Sequence, residues 1–190
     1  MRMTDLKDTT FEQVANILID CFKAGGKLLL CGNGGSSADC AHITGELVKG
    51  FCKKRPLPEA LQKAIGTDRL QMGLPAIDLT ANCALISAVN NDLGGDLVYA
   101  QQVMAYGRSG DVLIGISTSG NAKNVAMAVK AARALGLTTI GMTGCGGGAL
   151  ESLCDVTLKS RERETYLVQE DHLMFYHRLC LRVEDALFAE

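Results

Sequence analysis

The sequence predicts a single-domain α/β fold, a doubly wound parallel sheet covered by helices on both faces. Three observations carry this expectation. Short apolar runs that read as strands alternate with segments of helical spacing, the pattern of βαβ units. Two of those runs end in turns rich in glycine and serine that open directly into a helix. The 190 residues suffice for one domain with a substantial core.

The elements follow in order. Residues 9–24 place Phe11, Val14, Ala15, Leu18 and Phe22 at helical spacing, with Thr9 or Thr10 as N-cap and Gly25-Gly26 as the stop. "KLLLCG" is a short apolar run ended by glycine, a buried strand. Ser36 to Phe51 reads as a helix with Ser36 or Ser37 as its cap. Residues 52–75 break the rhythm, because they hold all three prolines of the chain together with Lys53, Lys54, Arg55, Lys63 and Arg69. They are expected to form an inserted surface excursion with a short helix, Glu59 to Ile65, and a solvated basic face. "AIDLT" is the second strand, followed by helices at Ala81 to Asn90 and Leu97 to Ala105. "DVLIGIS" is the third strand, Ala122 to Leu135 a helix, "TTIGMTG" and "VTLKS" the fourth and fifth strands, and Gln169 to Phe188 a long closing helix.

Composition narrows the function. A net charge of -2 argues against a general binder of nucleic acid, which would show a basic excess. The eight cysteines form no C-x-x-C pair and read as buried, reduced thiols, which points to the cytoplasm. The apolar runs are too short to span a membrane, so a soluble protein is expected.

The chemistry is expected in the loops, because ligands of open α/β sheets bind at the carboxyl ends of the strands. "LLLCGNGGSSADCAH" runs a strand through Asn33, Gly34, Gly35, Ser36 and Ser37 into a helix. Free N–H groups and hydroxyls at a helix N-terminus make an anion site, phosphate above all, although a glycine-rich turn also serves tight strand–helix packing. No Gly-Lys-Ser/Thr or G-x-G-x-x-G accompanies it. "DVLIGISTSGNAKN" repeats the arrangement with Ser117, Thr118 and Ser119, and three hydroxyls exceed what a helix cap requires. His42 and Glu46 lie four apart and share a helix face, and His172 and His177 lie on the closing helix. On residue type alone, each could equally be a satisfied core or a solvent-facing side chain.

The two loops, with "NND" (Asn90 to Asp92) and "VQEDHLMFYH" (Val168 to His177), resemble the sugar isomerase domain family, most closely its bacterial phosphoheptose isomerases. The resemblance covers nearly the whole chain from residue 10. It implies a flavodoxin-like three-layer sandwich, a homotetramer with active sites at subunit interfaces, and conversion of sedoheptulose 7-phosphate to a glycero-manno-heptose 7-phosphate. Glu46 and His177 fall on the family's catalytic glutamate and histidine. Asn33 to Ser37, Asn91, Asp92, Ser117, Thr118, Ser119 and Gln169 fall among its substrate-binding positions. His42, Glu46, Gln169 and His177 match residues associated with one zinc ion per subunit. Gln169 and His177 are about 12 Å apart along a helix and roughly 80° apart in direction, so they meet one ion only if their side chains lean together.

Three positions depart from the family pattern: Gly50 replaces an arginine, Ala122 a serine and Tyr166 an aspartate. Lys53, Lys54 and Arg55 are candidates to replace the missing arginine, the alternative being the solvated surface. They leave open an isomerase of another ketose phosphate. A different class is also open, since some relatives keep the loops as non-catalytic binding proteins, among them a tetrameric regulator of replication initiation. That relative lacks histidine at the position of His177.

Overall fold

A computed structural model describes residues 9–188 of the chain. Five strands, β1 (Leu28–Gly32), β2 (Ala76–Asp78), β3 (Val112–Ile116), β4 (Thr138–Thr143) and β5 (Val156–Lys159), form one parallel sheet in the order β2-β1-β3-β4-β5. Eight helices connect and cover it: α1 (Thr9–Lys23), α2 (Gly35–Val48), α3 (Glu59–Ile65), α4 (Cys83–Asp92), α5 (Val98–Tyr106), α6 (Lys123–Ala134), α7 (Gly148–Leu153) and α8 (Thr165–Leu187).

The strands read as continuous apolar runs because both faces of the sheet are buried. Successive side chains point to opposite faces, so Leu28 and Leu30 of β1 join α1, α2 and α8 in one core while Leu29 and Cys31 join α4 to α7 in the other. The chain reverses its winding direction between β1 and β3, the neighbours Leu28–Gly32 and Val112–Ile116. The loops that leave these two strands therefore diverge and open a crevice at their carboxyl ends.

Several local expectations are corrected. Thr9 and Thr10 already lie within α1, so neither is its cap. α2 starts at Gly35, so Ser36 and Ser37 are helical; Gly34 caps it with φ 57 and no side-chain bond, and the helix stops at Val48 rather than Phe51. α8 begins at Thr165, a turn before Gln169. α7 was not expected at all: six residues behind a glycine run are too short to show a helical period.

Residues 52–75 do carry an exposed helix α3, and an antiparallel bridge joins Pro56 to Gln71. Arg55 is nevertheless no part of a basic surface. It is 1% exposed and its guanidinium reaches Glu184 of α8 at 2.8 Å and 2.9 Å. Glu184 also accepts from the backbone N–H groups of Phe51, Cys52 and Lys53 at 2.8–3.0 Å. Arg55 donates further to the carbonyls of Leu47 and Glu46, the open end of α2. One buried ion pair thus ties the excursion to α8 and to the helix bearing His42 and Glu46.

Candidate functional site

The loops after β1 and β3 meet where the topology opens the crevice. A cavity of about 350 Å³ is lined by Asn33, Gly34, Gly35, Ser36, Ile116, Ser117, Thr118, Ala122, Thr165 and Gln169. Its floor is the start of α2, where the N–H groups of Ser36 and Ser37 turn back to the carbonyls of Asn33 and Gly34 at 3.0 Å. A Cβ on Gly35 would displace the amide of Gln169, which α8 lays across the loop. The two loops are clasped by a reciprocal amide pair, each of Asn33 and Asn124 donating to the other at 2.9 Å. Tyr99 fastens the clasp from below, donating to the carbonyl of Gly32 at 2.6 Å and approaching Oδ1 of Asn33 at 3.1 Å.

α2 and α8 run side by side in the same sense, so the contact of Gly35 with Gln169 at their beginnings is followed further along by a second meeting. His42 Nε2 lies 3.1 Å from Glu46 Oε1 and 3.5 Å from His177 Nε2. The rings of His42 and His177 pack edge to face at 5.0 Å, and Phe51 stacks on the outer side of His177 at 5.6 Å. Burial, and then the neighbouring His42, lower the pKa of His177 against the pull of Glu46, which leaves a neutral imidazole at neutral pH. The arrangement is an acid–base cluster of one carboxylate and two imidazoles, beside a phosphate-sized cavity of N–H groups and hydroxyls.

Other residues singled out from sequence fall outside that cavity's lining. Ser37 donates to Thr80 at 2.6 Å. Ser119 accepts from the N–H of Asn121 and lines a neighbouring cavity with Cys145, Glu162 and Arg163. Asn91 donates to Asp92 at the end of α4. His172 is fully buried and its Nε2 lies 3.3 Å from the carbonyl of Thr143, a core histidine. The thiols divide: Cys52 and Cys83 are exposed, whereas burial pushes Cys21 up to about 11 and Cys154 and Cys180 up to about 12, far from reactive thiolates. Gly50 has no room for the arginine of the pattern, because any Cβ would strike the carbonyl of Lys53 and the amide of Gln71. A larger cavity of about 640 Å³, between Cys52 to Pro56 and Phe188, is lined by the cations Lys53, Lys54 and Arg55 and lies beside the end of the described chain. Asn124, Tyr99 and Thr165 were not anticipated; of these only Asn124, in "SGNAKN", left a visible signal.

Among the described residues, no three His, Cys, Asp or Glu side chains are placed to hold a metal ion. The donor types of His42, Glu46 and His177 are ones that zinc accepts. The 3.1 Å and 3.5 Å separations straddle the donor–donor spacing of about 3.3 Å that tetrahedral bonds of about 2.0–2.1 Å imply. Gln169 belongs to the phosphate-sized cavity rather than to this triangle.

No helix among the described residues is long and apolar enough to cross a membrane. The SIS domain family model matches residues 1–70 and 63–144. A phosphoheptose isomerase of Nitratidesulfovibrio vulgaris is 40% identical over 96% of this chain and 84% of its own, and one of Synechocystis 42% identical over 94% and 84%. The solved phosphoheptose isomerase GmhA of Neisseria gonorrhoeae superposes with a TM-score of 0.80 at 34% identity, covering 95% of this chain and 88% of that one. With the crevice between the first and third strands and the cluster beside it, these likenesses lead to one conclusion: the chain belongs to the SIS domain family, among its phosphoheptose isomerases.

Proposed function

We propose that this protein is an aldose–ketose isomerase that converts sedoheptulose 7-phosphate to D-glycero-D-manno-heptose 7-phosphate through an enediol. The observation that carries the reading is that Glu46 and His177, from separate helices, converge on His42 along the same pair of helices that floors and covers the loop cavity. Gln169 and His177 are roughly 12 Å apart along α8, room for a sugar chain with its phosphate at one end and its carbonyl at the other.

The phosphate sits against the N–H groups of Gly34 and Gly35, the Ser36–Ser37 turn and the hydroxyls of Ser117 and Thr118, with Asn91, Asp92 and Ser119 completing the substrate contacts. It is an inert handle whose binding energy positions the reacting carbons. Glu46 removes the proton from one carbon and returns it to its neighbour. His177, neutral at neutral pH, moves the proton between the two oxygens. His42, Glu46 and His177 would hold a zinc ion, which when bound would polarise the carbonyl as a Lewis acid; Gln169, the fourth of the expected set, lies at the phosphate end.

The active assembly is a homotetramer in the cytoplasm, with sites at subunit interfaces. Supporting this, α8 leaves Tyr166, Leu173, Met174 and Leu181 exposed on the helix that carries His177, an apolar stripe that a second subunit would cover. The test is to incubate purified protein with a panel of ketose phosphates and follow the aldose products. Turnover of sedoheptulose 7-phosphate is expected; tight binding of one sugar phosphate with no turnover of any would replace this reading with a binding protein.

A further inference from the structure

We infer that Phe51 is a positioning residue for His177: its ring is the wall that fixes the imidazole beside His42, and the excursion of residues 52–75 holds that wall in place. The inference rests on the proposed reading in taking His177 as an acid–base group of the reaction. The imidazole is bounded by three rings. His42 and Tyr176 meet it edge to face, each at 5.0 Å, and Phe51 lies over it at 5.6 Å with the two planes 30° apart. Its hydrogen-bond contact among the described residues is with His42 Nε2 at 3.5 Å, longer than an ordinary hydrogen bond. A histidine that moves protons is commonly oriented by a hydrogen bond at its other ring nitrogen. Here the packing of the rings has to orient it.

His42 and Tyr176 are carried by α2 and α8 and are fixed with those helices. Phe51 lies past the end of α2 at Val48, where no helix or strand holds the backbone. Side chains hold it instead. Glu184 of α8 accepts from the N–H of Phe51 at 3.0 Å and from those of Cys52 and Lys53 at 2.8 Å and 3.0 Å. Arg55 fixes that carboxylate in turn, at 2.8 Å and 2.9 Å. From the other limb of the excursion, Gln71 Oε1 accepts from the N–H of Gly50 at 2.8 Å, and the N–H of Met72 donates to the carbonyl of Arg55 at 2.7 Å. A Cβ on Gly50 would strike Gln71 and the carbonyl of Lys53, so this close approach needs a glycine directly before Phe51. Two successive N–H groups are thus pinned from two different elements. Phe51 is half-buried against the core next to α8 and takes no part in lining the phosphate-sized cavity. Its loss should therefore act at the reacting end of the site and spare the phosphate handle.

The experiment compares the unmodified protein with Phe51→Ala, in steady-state isomerisation of sedoheptulose 7-phosphate and in crystal structures of both proteins in the same metal state. Because a misplacement of ~1 Å can cost about 100-fold in rate, kcat should fall about 10- to 100-fold with KM little changed. In the crystal of the variant the imidazole of His177 should take more than one orientation. Phe51→Tyr, which keeps the ring, should restore most of the turnover. Gln71→Ala, at an exposed position outside α2 and α8, should lower kcat by less and again leave KM alone. If Phe51→Ala does not fold, Phe51→Leu, which keeps apolar bulk but no flat ring, carries the same test. An unchanged kcat, a loss confined to KM, or a His177 unmoved in the crystal overturns the inference, and an unchanged kcat in Gln71→Ala overturns the share given to the excursion. The crystallographic comparison requires no turnover. A protein inactive on every ketose phosphate would end the isomerase reading, while the crystals would still decide whether Phe51 places His177.

Discussion

Arg55→Met gives the sharpest test of how the excursion is built into the fold. Methionine keeps most of the stem but removes the guanidinium from its contacts with Glu184 and with the carbonyls of Leu47 and Glu46. Breaking a fully buried pair by deleting one partner costs about 3–5 kcal/mol, because the remaining charge stays desolvated. Glu184 retains three backbone N–H donors, from Phe51, Cys52 and Lys53, which places the expected loss near the lower end, about 3 kcal/mol. For a chain of this length that corresponds to a melting temperature lower by roughly 10 °C, measured at equal protein concentration. The loss also has a pH signature. Burial pushes the Glu184 carboxyl up, but the N–H groups of Cys52, Phe51 and Lys53 and the Arg55 guanidinium outweigh it and hold it below the usual range. A carboxyl depressed in the folded state stabilises above its unfolded value of about 4.3, and that contribution is lost as pH falls through the folded value. The gap between wild type and variant should therefore be full at neutral pH and narrow below about pH 4. A loss under about 1 kcal/mol, the range of an exposed pair, would refute the reasoning.

Glu46→Gln and His177→Ala should each lower turnover about 100- to 10,000-fold without unfolding the protein. Mixing the two inactive proteins should restore no activity, because Glu46 and His177 of one chain meet at the same His42, and a fully active monomer in light scattering would end the proposal of sites at subunit interfaces. Thr118→Val, which removes a hydroxyl from the cavity wall, should raise the KM for sugar phosphate about 10- to 100-fold, as expected for a bond to a charged group. Ser119→Ala, whose hydroxyl also serves the turn at Asn121, should raise the KM less; a larger loss there than at Thr118 would place the phosphate nearer Ser119 than the proposal has it. Chelation followed by metal analysis should lower activity, and full activity in metal-free protein would remove zinc from the mechanism while leaving Glu46 and His177 in place.

What the chain reveals by itself is local. Apolar runs such as "LLLC" and "VLIGI" must be strands buried on both faces, and the helical spacing of Phe11, Val14, Leu18 and Phe22 needs no partner to be read. Gly-Asn-Gly-Gly-Ser-Ser and Ser-Thr-Ser-Gly-Asn announce anion-binding turns, because backbone N–H groups at a helix start are a property of the turn itself. The pair His42 and Glu46 is equally local, four residues apart on one helix. The tertiary structure decided everything that depends on how two elements are rotated against each other. It set Thr118 between the two cavities while Ser119 serves a turn, and brought Asn33 to Asn124. It also slid Tyr176 between Asp39 and His42. Arg55 shows the physical reason most plainly. In sequence it is one of three adjacent cations and reads as solvated. In the fold, Glu184, distant along the chain, and the carbonyls of Leu47 and Glu46 supply the partners that make burying that charge possible.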